Sequence, residues 1–405
     1  MKLEKRMESI NLKGKHVILG VCGGIAAYKS VELLRLLLKQ EAKVKVVMTR
    51  NAEWFVGALT FKALSGQVVC RNLFEDEGEG ASIRHIDWVR QADIMVIAPA
   101  TANMLGKIAG GIADDALSTM VLAATCPVMV CPSMNTHMYE NRITQRNLDI
   151  LLENGLDVLE PDAGELACGI SGAGRLPEPV YIVDRVCHRL SPKDFAGKRI
   201  LVTAGPTREA IDPVRFISNH SSGKMGYAVA RAAEYRGADV TLVSGPTCLT
   251  APAHMTIIRV QSAHEMAEEV LTRMSEVDII IKVAAVADYR PQREASRKIK
   301  KSSDEMLLKL EKNLDILKTL GQRKTRQVLV GFAAETQDLR ANAVKKLAEK
   351  NLDLIIGNLV GRPETGFDAD ANRVTFFHKD GTAEEMPLMA KEAVAHALLD
   401  RVIRL

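Results

Sequence analysis

The chain has 405 residues, 26% of them charged and 4% aromatic, with a formal net charge of +4. That length exceeds one ordinary core and points to two domains, while mild charge and scarce aromatics exclude the stacking platforms of single-strand nucleic-acid binders. The seven cysteines, Cys22, Cys70, Cys126, Cys131, Cys168, Cys187 and Cys248, form neither a paired zinc spacing nor a disulfide framework, which fits a reducing cytoplasm.

Met1 to Gly14 is charged and lacks the apolar centre of a signal peptide. Strands are then expected at His16–Val21, Val44–Met48, Ile94–Ala98 and Val128–Cys131, alternating with helices at Ala26–Lys39, Ala102–Ile108 and Ala116–Ala124. These strands are continuous apolar runs, the mark of a parallel sheet covered on both faces. The uncharged run Ala116–Met134 has a membrane-like length, but Pro127 and its Ser, Thr and Cys content read as a buried helix followed by a buried strand. Between Pro161 and Pro179 the pattern dissolves into glycine, proline and cysteine, and a long functional or disordered loop is expected. The segment His188–Phe195 reads as a hinge, which puts the domain boundary at 190/191.

The chain then starts again. Strands are expected at Arg199–Thr203, Val240–Val243, Ile257–Val260, Ile279–Lys282, Val328–Phe332 and Leu354–Ile356, with helices at Tyr227–Arg236, Ala263–Met274, Leu339–Lys350 and Met389–Ile403. Arg290 to Ser303 is basic and aperiodic, and reads as a mobile flap. The fold class is therefore α/β, with two doubly wound, Rossmann-like domains.

In the first half, the turn Cys22–Ser30 is not the dinucleotide fingerprint, and no acidic residue closes the second strand, which disfavours NAD. A mononucleotide with its phosphate at the Ala26 helix N-terminus and near Thr49 is compatible, and so is a plain tight turn. Ligands of open α/β sheets lie beyond the carboxyl ends of strands, where Pro99–Asn103 and Pro132–Asn135 fall. His85 precedes one of those strands, and Cys168 lies in a glycine-rich loop with Arg175 nearby.

Six ordered strings, Gly23–Lys29, His85–Trp88, Ala98–Asn103, Ala113–Thr119, Pro132–Met138 and Leu166–Arg175, resemble the FMN-dependent phosphopantothenoylcysteine decarboxylases, members of the homo-oligomeric flavin-containing cysteine decarboxylases. The resemblance implies FMN held by Gly24, Ile25, Ala26, Thr49, Thr101, Ala102, Asn103 and Ser118. It implies His85 as catalytic base, Asn135 on the substrate carboxylate and Cys168 as proton donor. It also implies a chemistry in which thiol oxidation creates an electron sink before carbon dioxide leaves. Ser133 and Tyr139 stand where that family usually has alanine and tryptophan.

In the second half, Gly223-Lys224 invites a P-loop reading that fails, because Ser218 and Met225 occupy the first-glycine and Ser/Thr positions. What remains is a polar loop suited to a phosphorylated substrate. Asp212–Gly226, Ala284–Tyr289, Lys298–Lys301 and Gly331–Thr336 together resemble the bacterial, CTP-using phosphopantothenate-cysteine ligases. That resemblance implies CTP against Lys282, Val283, Ala284, Asp288, Lys298, Asn313, Leu314, Asp315, Ile316, Phe332, Lys346 and Lys350. It further implies Asn219 acting on an acyl-cytidylate, Lys298 as a flap lysine, and Mg2+ at Asp288. Leu314 and Leu359 depart from the family pattern.

The two resemblances imply that the halves catalyse successive steps toward coenzyme A on small-molecule substrates, in a trimeric first domain and a dimeric second one, an assembly compatible with a dodecamer. A flavin-binding scaffold that has lost its chemistry would lack Cys168. A decarboxylase for peptidyl C-terminal cysteine would have no use for the second half.

Overall fold

The computed structural model describes residues 12–73, 84–165, 171–250, 255–300, 306–335, 337–359 and 369–405. It divides into two compact units, Met1–Leu190 and Ser191–Leu405.

The first unit runs β1 (His16–Val21), α1 (Ala27–Lys39), β2 (Lys43–Met48), α2 (Ala58–Ser65), β3 (Val69–Cys70), α3 (Arg84–Gln91), β4 (Ile94–Ala100), α4 (Ala102–Ala109), α5 (Ala116–Leu122), β5 (Val128–Pro132), α6 (Thr136–Tyr139), α7 (Arg142–Glu153), β6 (Asp157–Val158), β7 (Asp162–Glu165), β8 (Ser171–Arg175) and α8 (Pro179–Leu190). Helix α1 forms because Leu33, Leu34, Leu36 and Leu37 recur on one buried stripe while Glu32, Arg35 and Lys39 face water. The six-stranded sheet has the order β3-β2-β1-β4-β5-β6, every pairing parallel, so the strand order reverses between β1 and β4. Helix α5 presses against β1 at Gly20, where an added Cβ would lie 2.6 Å from Leu117. The uncharged run Ala116–Met134 is the buried helix and buried strand expected, α5 and β5.

Two expectations need correction. The region after Pro161 is not one long loop: β7 and β8 pair as an antiparallel hairpin, and α8 begins at Pro179. The hinge is shorter than His188–Phe195, since α8 continues to Leu190 and Phe195 is fully buried in the core of the second unit. There the guanidinium of Arg236 lies 5.0 Å from the Phe195 ring and pairs with Asp194 and Asp400, fastening the chain from Asp194 onward.

The second unit runs β9 (Arg199–Ala204), β10 (Arg208–Ala210), β11 (Phe216–Ser218), α9 (Lys224–Tyr235), β12 (Asp239–Ser244), β13 (Thr256–Arg259), α10 (Ala263–Arg273), β14 (Ile279–Lys282), β15 (Tyr289–Pro291), β16 (Leu310–Lys312), α11 (Ile316–Arg323), β17 (Val328–Glu335), α12 (Leu339–Glu349), β18 (Leu354–Leu359), β19 (Ala371–Asn372), β20 (Val374–His378), β21 (Ala383–Glu385), β22 (Met389–Ala390) and α13 (Lys391–Val402). Its main sheet has the order β13-β12-β9-β14-β17-β18-β20-β21. The first six strands are parallel with a reversal between β9 and β14, and β20 and β21 add an antiparallel edge. Cores fill both faces of this sheet. The basic segment read as a flap is tied down on its described part: β15 pairs with β16, and Ile299 donates its N–H to Asp212 and accepts from Arg215.

Candidate active sites

In an open parallel sheet the crevice lies beyond the carboxyl ends at the point of strand reversal. In the first unit that point is walled by Gly23–Ala26 after β1 and Thr101–Asn103 after β4. The two approach closely: a Cβ on Gly24 would lie 3.7 Å from the Thr101 methyl, and one on Gly23 would lie 2.4 Å from Asn51. Thr49 at the end of β2 donates its N–H to Val21. No side chain caps α1 at Ala26, so that helix end can receive an anion, whereas Thr101 caps α4 with its own hydroxyl. Ile25 is 62% exposed, and Ala102 and Asn103 open the second wall.

Ser118 is placed differently from an open wall residue. It is buried, and it forms a reciprocal capping box with Asp115 at the start of α5, its N–H 2.8 Å from the carboxylate. Lys107 pairs with both Asp114 and Asp115 at 2.6 Å. Burial works against the Asp115 charge, yet Lys107 and the Ser118 hydrogen bonds hold its carboxyl below the usual range.

His85 is the second residue of α3. Asn135 caps α6, accepting from the His137 N–H at 2.9 Å. The β7–β8 hairpin lies against this segment: Met134 donates to Gly174, and a Cβ at Gly174, where φ is +134°, would lie 2.3 Å from the Met134 carbonyl. Cys168 falls between the hairpin strands and outside the described residues. Sequence reasoning missed Lys29, a buried lysine on α1 whose Nζ reaches Leu176 O at 3.0 Å and Glu178 at 2.9 Å, tying α1 to the exit of the hairpin. A lone lysine on an otherwise apolar helix face was the available signal.

In the second unit two fully buried hydroxyls hold the reversal point together. Thr203 Oγ1 accepts from the N–H groups of Val283 and Ala284, both at 3.1 Å, and Thr207 Oγ1 accepts from Ala287. Asn219 donates to Val286 O at 3.0 Å, and Asn313 donates to Ala287 O at 2.9 Å. The Oδ1 atoms of Asn313 and Asn358 are buried with no hydrogen-bond partner, a condition a ligand donor would relieve.

Around this point the lysines are already sorted. Lys346 pairs with Glu335 at 2.6 Å and Lys350 with Asp315 at 2.8 Å, so the two lysines answer to different carboxylates. Lys282 ends β14, partly buried, and burial together with neighbouring Lys350 pushes its pKa down from 10.5 to about 8. Asp315 caps α11, Leu314 and Asp288 are exposed, and Ile316 is buried in the core, so only the backbone of Ile316 is available to a ligand. Val283 and Ala284 follow the end of β14, Phe332 lies within β17, and Lys298 is exposed beside the anchored Ile299. Among the described residues no group of three or more His, Cys, Asp or Glu side chains could hold a metal ion.

A cavity of about 860 Å³ opens on the other side of the reversal, beyond β9, β12 and β13, lined by Asn219, His220, Ser221, Lys224 and Thr247 among others. Arg208 and Arg259 also line it, and neither was singled out from the sequence. Their positions at strand ends were the legible signal. No helix among the described residues is long and apolar enough to cross a membrane.

Comparison with known proteins adds relatives over nearly the whole chain. The Flavoprotein family model matches residues 5–191, and the model described as DNA/pantothenate metabolism flavoprotein C-terminal domain matches residues 195–405. The Coenzyme A biosynthesis bifunctional protein CoaBC of Bacillus subtilis (strain 168) is 49% identical over 403 residues, covering 97% of this chain and 98% of its own. Its namesake in Escherichia coli (strain K12) is 45% identical over 399 residues, with coverage of 97% and 98%. A crystal structure of the C-terminal domain of a protein of that name is 47% identical, covering 52% of this chain and 97% of that one at a TM-score of 0.46.

Proposed function

The chain belongs to the family of bifunctional coenzyme A biosynthesis proteins, and on that premise we propose that it ligates cysteine to phosphopantothenate with CTP and then decarboxylates phosphopantothenoylcysteine to phosphopantetheine. The observation that carries this reading is that two family models, one on each compact unit, together run from residue 5 to residue 405. We assign the decarboxylase to 1–190 and the ligase to 191–405, in a cytoplasmic protein.

In the first unit the uncapped end of α1, with Gly24, Ile25, Ala26 and Thr49, suits the phosphate of FMN, and Thr101, Ala102 and Asn103 form the facing wall. The flavin, when bound, supplies two-electron acceptance and return next to the carbon that loses carbon dioxide. Asn135 holds the substrate carboxylate, His85 takes the first proton, and Cys168 gives the last one. A thiol near its ordinary pKa of about 8.5 is mostly protonated at neutral pH and can serve as that acid. Ser118 acts through its helix cap rather than as an open hydroxyl. Ile25, Trp54 and Leu59 are 62%, 86% and 76% exposed, apolar surface suited to a second copy of the unit.

In the second unit the substrate carboxylate attacks the α-phosphate of CTP and pyrophosphate leaves. The cysteine amine then attacks the mixed anhydride and CMP leaves. The orphaned Asn313 Oδ1 and the Lys282, Lys346 and Lys350 cluster suit the nucleotide. Asp288 suits a Mg2+ shared with the triphosphate, since that ion is commonly held by one or two carboxylates plus phosphate oxygens. Asn219, bonded to Val286 O and lining the cavity, suits a role on the acyl-cytidylate. The test is twofold: purified protein should carry or take up FMN, and pyrophosphate release should require phosphopantothenate and CTP. Protein that cannot be reconstituted with FMN, or that releases no pyrophosphate, contradicts the corresponding half.

A further inference from the structure

Three of the segments at the cavity of the second unit meet one another: 205–207 after β9, 221–224 at the start of α9, and 244–248 at the end of β12. Each contains a glycine pressed against a neighbour. Gly205 and Gly223 both adopt left-handed backbone, with φ of +75° and +78°, and a Cβ on either would meet the same atom, Thr247 Cγ2, at 2.9 and 2.6 Å. Gly223 is also close to Gly205, its added Cβ falling 3.4 Å from the Gly205 Cα, and a Cβ on Gly245 would lie 1.9 Å from Pro206 O. The Thr247 methyl therefore fills the notch left by two left-handed glycines, while its hydroxyl donates to Tyr227 Oη at 3.2 Å. Tyr227 Oη in turn lies 3.1 Å from the buried Ser244 Oγ, which donates to Gly245 O.

We propose that Thr247 is a positioning residue of the ligase site, its γ-methyl holding the 244–248 segment off the Gly205 and Gly223 loops so that the cavity keeps the width its phosphate-bearing substrate requires. The inference rests on the ligase reading above. The two glycine loops have wide backbone freedom and both pack on this methyl, so its removal lets the 244–248 segment settle onto them and moves the cavity wall. The hydroxyl bonds to Tyr227 rather than to either loop, so it contributes less to the spacing.

The experiment compares Thr247→Ala, Thr247→Ser and Thr247→Val in the full-length protein, measuring KM and kcat for CTP and for phosphopantothenate, together with decarboxylation of supplied phosphopantothenoylcysteine. The account expects KM for the substrate whose phosphate enters this cavity to rise about tenfold in the Ala and Ser variants, within the range a shift of about 1 Å can produce. Val, which keeps the methyl position, should recover most of that loss. Which KM moves identifies whether the triphosphate or the phosphate monoester occupies the cavity. Unchanged KM values in Thr247→Ala, or a Val variant as impaired as Ala, would overturn the proposal, as would a fall in kcat alone, which a merely structural role produces. Absence of CTP-dependent ligation in the unsubstituted protein would sink the ligase reading instead.

Discussion

The two units share a strand order at their reversal points and furnish them with opposite chemistry. Between β1 and β4 the first unit offers an uncapped helix end and bare glycines beside the exposed Ile25. Between β9 and β14 the second unit offers buried threonine hydroxyls and three clustered lysines, and beyond β9, β12 and β13 a cavity rimmed by Arg208, Lys224 and Arg259. The same scaffold thus suits a flat cofactor on one unit and a polyphosphate on the other, because the sheet fixes where ligands lie and the loops fix what they are.

Independence of the two sites is the sharpest form of that comparison. Cys168→Ser should lower phosphopantetheine output by about 10²–10⁴-fold, the range for loss of a positioned acid, while an oxidised, decarboxylated product accumulates. Ligation should be untouched, and normal phosphopantetheine output would remove Cys168 from its role.

In the second unit, Lys298→Gln should slow pyrophosphate release by roughly tenfold to a hundredfold, the worth of one charge-assisted contact made in the transition state. Asn219→Asp should instead let acyl-cytidylate accumulate, which mass spectrometry of quenched reactions would reveal. If Lys298→Gln left release unchanged, the basic run would be a solvated loop.

Thr203→Val keeps shape but strips the acceptor from two N–H groups, the buried one of Ala284 and the part-buried one of Val283. It should destabilise the second unit by about 1–3 kcal/mol. Calorimetry should show that unit's transition shifted down and the other in place; equal shifts in both would break the claim of separate units.

The smallest effect concerns pH. Lys282, with its pKa lowered by burial and by Lys350 to about 8, is mostly charged at pH 7 and mostly neutral at pH 9. CTP affinity, measured without cysteine, should therefore fall as pH rises through about 8, by about tenfold between pH 7 and 9. Lys282→Met should flatten the profile, and an equally steep one in that variant would point to another group.

Legibility in the sequence followed burial. Continuous apolar runs such as His16–Val21 and Ile279–Lys282 read directly as strands because both faces of the sheet are covered. The β7–β8 hairpin did not, since Asp162–Glu165 and Ser171–Arg175 pair through backbone and carry almost no apolar alternation. Helix α11 was missed although Asp315 caps it, because its eight residues give too short a period. At the sites, motifs at strand ends located the crevices. The partners of Lys346 and Lys350 depend on tertiary neighbours that no local pattern encodes, whereas the Asp115–Ser118 capping box and the strand-end Arg259 carried local signals that went unread.

The central claim is that one chain carries both steps. Purified protein supplied with FMN, phosphopantothenate, cysteine, CTP and Mg2+ should form phosphopantothenoylcysteine first and phosphopantetheine after it, with CMP and pyrophosphate released, as followed by mass spectrometry over time. Persistence of phosphopantothenate with no sulfur-containing product, or accumulation of phosphopantothenoylcysteine that the FMN-loaded protein never decarboxylates, would contradict it.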